Sequence, residues 1–92
     1  VQTGTSYTLT SYDNGKIVTL NNGSAITLTV PAGLPAGFRC DIVQLGNGQV
    51  TITPSSTTVN NRQSFTKIKG RYAAASLIMY DTDTFLSQGD ME

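Results

Sequence analysis

The chain predicts an all-β fold: a single small antiparallel β-sandwich or barrel of jelly-roll type, about eight strands over residues 1–92. Three observations carry that expectation. Apolar and polar residues alternate, most plainly in "SAITLTV", where Ile26, Leu28 and Val30 fall on one side of a strand and Ala25, Thr27 and Thr29 on the other. Thr is the commonest residue, and β-branched Thr, Val and Ile suit a pleated strand better than a helix. Turn chemistry recurs at short, even spacing, and no segment carries its apolar residues at the helical period.

The elements follow in order. Strands are expected at 7–10, 16–20 and 25–30, separated by Asn14-Gly15 and Asn22-Gly23. Both residue types accept the positive φ of a type I′ turn, so these strands should run as consecutive antiparallel hairpins. "PAGLPAG" then denies ladder hydrogen bonds at Pro31 and Pro35 and reads as a stiff crossover. Further strands are expected at 38–45, 49–54, 65–68, 72–80 and 84–87, with "GNG", "PSSTTVNNRQ", "KG" and "DTD" as their joints. The run "RYAAASLIMY" is apolar on both faces and should be a central strand covered on both sides. Its alanines, Ala73, Ala74 and Ala75, permit close approach of another sheet or subunit and are the candidate subunit contact.

Composition narrows the function. A chain of 92 residues buries a smaller share of its surface than a larger one, so partners should add stability. Charged residues make up 13%, about half the usual share. Net charge is zero and the pI is near 6.3, so there is no global field to draw nucleic acid or an anionic membrane. No apolar run approaches the roughly 18 residues of a membrane helix, and membrane insertion is not expected. The start at Val1 without Met suggests a module cut or processed from a longer protein. Cys40 is the only cysteine, which rules out an intrachain disulfide; its apolar surroundings predict a buried thiol.

Catalytic constellations are poorly supplied. With no histidine, neither a Ser-His-Asp nor a Cys-His arrangement can form. The carboxylates are Asp13, Asp41, Asp81, Asp83, Asp90 and Glu92, without a facing pair that the pattern specifies. "DTDTFLSQGDME" has acids at the first, third and twelfth positions of a calcium loop. It nevertheless puts Phe85 and Leu86 where an oxygen ligand and glycine belong. No catalytic residue, metal site or cofactor is therefore expected. Four of the six cations are Arg62, Lys67, Lys69 and Arg71, and alternation sets the last three on one side of a strand. That stripe is either a contact for an acidic partner or glycan, or an edge whose charge deters aggregation. Most aromatic residues are core candidates; Tyr12, beside a turn, is the one expected to be free for a partner or a sugar.

The block "DNGKIVTLNNGSAITLTVPAGLPAGF", the hairpin-like "QLGNGQVT" and the later "GRYAAASLIMYDTDTFLSQGD" resemble a small β module that recurs in structural proteins of tailed bacteriophages. Head fibres, capsid decoration proteins and tail-fibre regions carry it, and the likeness runs over 7–90. The resemblance implies a homotrimer on the capsid surface or tail, bound to other virion proteins and in some cases presenting a surface to host cell-surface glycans. It transfers no catalytic residue. The pattern is loosest over 60–69, where partner-specific contacts would lie. The alternative is a carbohydrate-binding module of a fibre or of a polysaccharide-degrading protein.

Overall fold

The structure, a computed structural model, describes residues 2–92. Eight strands, most of them with alternate residues apolar, close on one core. They are β1 (Ser6–Thr8), β2 (Ile17–Leu20), β3 (Ile26–Pro31), β4 (Arg39–Gln44), β5 (Val50–Ser55), β6 (Thr58–Asn61), β7 (Ala74–Asp81) and β8 (Thr84–Gly89), with a 3-10 turn at Ser11–Asp13. The fold is all-β, with two sheets. One has three strands in the order β1-β3-β5; the other has five, in the order β2-β4-β7-β8-β6.

The expected antiparallel hairpin order does not form. The first six strands alternate between the sheets, so the chain coils, and strands of successive coils pair in parallel. Ser6 lies opposite Thr27, Ile17 opposite Asp41 and Ile26 opposite Val50, a coil length of 21 to 24 residues. The arrangement is β-solenoid-like and not a clear jelly-roll sandwich or barrel. Antiparallel pairing is confined to β7, which runs against β4 on one side and β8 on the other, and to short bridges. The β7–β8 hairpin separates β4 from β6, which pairs in parallel with β8.

Turn geometry explains the difference. Asn14 has φ −60° and ψ 124°, Gly15 has φ +76°, and the Lys16 N–H donates to the Asp13 carbonyl at 3.0 Å. These are type II turn angles, which do not follow the twist of a two-residue hairpin and instead send the chain round a corner. At the second dipeptide, the Asn22 side-chain oxygen accepts the Ser24 N–H at 2.9 Å, and its carbonyl accepts the Gly48 N–H at 2.8 Å. One corner thus stacks on the next. Gly48 is required there, because a Cβ would come within 1.8 Å of the Ser24 carbonyl oxygen.

The core joins Leu20, Leu28, Ile42, Val50, Leu77 and their neighbours from both sheets. Phe38 and Phe85 meet edge to face in it, with centroids 6.2 Å apart. Gln44 is buried among them: its amide donates to the Gly46 carbonyl at 3.0 Å, and its side-chain oxygen accepts the Val50 N–H at 3.1 Å. Among the described residues no buried side-chain polar atom lacks a partner.

Segment 65–68 is not a regular strand. Lys67 bridges Thr51 on the edge of β5, Ile68 bridges Met91, and this short stretch covers that edge. β6, within the expected joint "PSSTTVNNRQ", is a strand instead. β7 is central, as expected, but only one of its faces is fully covered. Ala75, Leu77 and Met79 point into the core, while Ser76 and Ile78 are half-buried and Ala74 and Tyr80 exposed on the other side.

Candidate functional site

Three surface features bring together residues of chemical interest. The first is the outer face of the five-stranded sheet. Alternation places Ile17, Val43, Ala74, Ile78, Tyr80 and Leu86 on it, with Ile17 66%, Tyr80 59% and Leu86 38% exposed. Its polar members are partly tied down: Ser76 donates to Asp41 at 2.6 Å, and Asn60 donates to the Tyr80 hydroxyl oxygen at 2.8 Å. Of the three alanines expected to form a subunit contact, only Ala74 reaches this face; Ala73 and Ala75 are core. Alternation along β7 makes a contact through all three impossible without unpacking the strand.

The second feature is a hydroxyl array on the outer face of the three-stranded sheet. Register aligns Ser6, Thr27 and Thr51 in one row and Thr8, Thr29 and Thr53 in the next.

The third is a cleft of about 480 Å³ between the loop joining β3 to β4 and the β7–β8 turn. Leu34, Ala36 and Gly37 form one wall; Met79, Tyr80, Asp81, Thr82 and Asp83 form the other. The Gly33 N–H donates to Asp83 Oδ1 at 3.0 Å and so links the loop to the turn. Asp81 Oδ1 accepts the Thr82 N–H at 2.8 Å. Asp83, at φ +49°, completes a tight reversal that starts at the bulge between Met79 and Asp81.

The residues expected to meet a partner are scattered. Tyr12 is 83% exposed on the 3-10 turn. Arg62 lies in the turn after β6, where Asn61 Oδ1 accepts the N–H groups of Gln63 and Phe65. Lys67 and Lys69 are exposed on either side of buried Ile68, but only 67 and 68 form bridges, and a bend follows at Gly70 in place of the expected continuous strand. Arg71 is therefore not part of their stripe. Its Nε donates to the Leu45 carbonyl at 3.0 Å, and its guanidinium lies 4.9 Å from the centre of the Tyr72 ring. Tyr72 and Tyr80, expected in the core, are both exposed.

Comparison with family models, curated proteins and solved structures finds no match for this chain. Chemistry must then be read from the side chains themselves. Asp81 and Asp83 are separated from Glu92 by the whole of β8; Glu92 instead accepts a hydrogen bond from Gln49, and its backbone pairs with Lys67. Among the described residues no three potential metal ligands gather in one place. Asp13 accepts the Tyr7 hydroxyl at 2.8 Å and the Thr10 N–H at 2.9 Å, a local brace for the first corner. Burial first, and then this carboxylate, push the Tyr7 hydroxyl up to about 12.

Proposed function

We propose that the chain is a non-catalytic structural module of a bacteriophage virion, a head-fibre, decoration or tail-fibre part that associates with copies of itself and attaches to the particle. Two separate lines support this reading. The sequence block from Asp13 onwards resembles such modules, and that resemblance supplies the trimer, the other virion proteins as partners and the capsid surface or tail as the location. The physical line concerns association alone.

The observation that carries it is the outer face of the five-stranded sheet, where Ile17, Tyr80 and Leu86 are open to solvent. Few charges oppose contact between copies, since the chain has six acids and six bases in all. A patch that meets a different patch on the next copy, head to tail, must close into a ring or grow into a filament, and closure is the soluble outcome. Sedimentation equilibrium at micromolar concentration tests the reading. A homotrimer mass is expected; a single species at monomer mass would overturn it.

A further inference from the structure

We infer that the cleft between the β3–β4 loop and the β7–β8 turn is a binding site for a neutral sugar ring. Its volume of about 480 Å³ falls within the range of small-ligand pockets and accommodates one or two pyranose rings. A sugar ring has apolar C–H faces and a rim of hydroxyls. The lining includes both kinds of residue: Leu34, Ala36, Met79 and Tyr80 on the apolar side, and Asp81, Thr82 and Asp83 on the polar side.

Each carboxylate uses Oδ1 for a backbone N–H, from Thr82 and Gly33 respectively. A carboxylate has two acceptor oxygens, so each retains Oδ2 for a ligand hydroxyl, and such charge-assisted bonds are the stronger kind. The site is also preformed. Asp83 ties the loop to the turn, and Asn60 holds the Tyr80 hydroxyl at 2.8 Å, so little ordering is left for the ligand to impose.

Charge decides the sugar class. No lysine or arginine lines the cleft, and two carboxylates do, so uronic and sialic acids are repelled and a neutral hexose or N-acetylhexosamine is accepted. An acidic glycan would need the Lys67 and Lys69 edge, a different surface. Tyr80 also lies on the outer face proposed for self-association, but the two readings keep separate readouts: a monomeric chain that binds sugar overturns the assembly proposal alone, and a trimer that ignores sugar overturns this one alone.

Amide NMR of the isotope-labelled protein tests it, with methyl glucoside, methyl galactoside and N-acetylglucosamine as probes and N-acetylneuraminic acid as the acidic comparison. At least one neutral probe should give saturable shifts confined to 33–37 and 79–83. Asp81→Asn and Tyr80→Ala, both at exposed positions, should keep the remaining spectrum and weaken binding about tenfold or more, the factor for losing a hydrogen bond to a charged group or an aromatic wall. Silence with all three neutral probes, shifts located elsewhere, preference for the acidic sugar, or unchanged affinity in both variants would each overturn the assignment.

Discussion

Gln44 takes a core position where the alternation of β4 calls for an apolar residue, and it holds the corner that follows. The Val50 N–H that it accepts is buried, with no water to replace the lost bond. Gln44→Met keeps the volume but orphans that N–H. The cost should be roughly 1–3 kcal/mol, which for a domain of this size lowers Tm by about 4–8 °C per kcal/mol. A thermal melt unchanged within error would show that the corner does not need the amide. Cys40 makes a second case. It is 1% exposed, and burial, followed by the Asp13 and Asp41 carboxylates, pushes its thiol from 9.0 up to about 12. In the unfolded chain the thiol ionises first, so this contribution to stability is complete below about pH 9 and is lost as pH rises toward 12. Tyr7 acts with the same sign from 10.0 upward. Urea titrations on either side of pH 9 should therefore show a decline that Cys40→Ala reduces but does not abolish. A thiol reagent should react with Cys40 only after unfolding; fast modification of the native protein would contradict its inward orientation on β4.

At the scale of elements, the corners decide the topology, and the stacked pair at Asn22 and Gly48 can be tested directly. Gly48→Ala places a Cβ against the Ser24 backbone, and forcing that corner apart should cost about 1–3 kcal/mol. Gly23→Ala, one corner below, meets nothing within 4 Å and should leave the urea midpoint nearly unchanged. Equal effects at the two positions would refute the stacking. Strand positions were largely legible in the sequence because alternation is local: β2, β3, β4 and β5 lie within a residue or two of where Ile26, Leu28, Cys40, Ile42 and Val50 put them. Pairing was not legible, because Asn-Gly serves a hairpin and a solenoid corner alike, and the partner strand lies 21 to 24 residues away. β6 escaped notice since Val59 is the only apolar residue among its four, as suits an edge strand. The cleft was not legible, since the apolar look of both faces of "RYAAASLIMY" put Tyr80 in the expected core. In the structure Tyr80 lies opposite to Leu77 and Met79 along β7, and only the folded chain brings the Leu34 loop to meet it.

The whole molecule presents two outward sheet faces of unlike chemistry. One is a lattice of hydroxyl residues, Ser6, Thr8, Thr27 and Thr53 exposed and Thr29 and Thr51 half-buried. The other mixes Ile17, Ala74, Ile78, Tyr80 and Leu86 with a few tied-down polar groups, and covering it removes apolar surface from water. If copies associate, the second face is the one that gains by contact, and Ala74, opposite Val43, lies on it beside the central strands. Ala74→Arg introduces a guanidinium that must lose its water on assembly without a partner, a penalty of about 4 kcal/mol, or roughly a thousandfold in affinity. Thr27→Arg puts the same charge on the hydroxyl face, where it stays solvated. Sedimentation equilibrium should therefore find Ala74→Arg monomeric and Thr27→Arg at the parent mass, with circular dichroism confirming that both remain folded. The reverse pattern would move the contact to the hydroxyl face. Because Ala74 is exposed and its Cβ points away from the core, a folded monomer is the expected product of the first substitution.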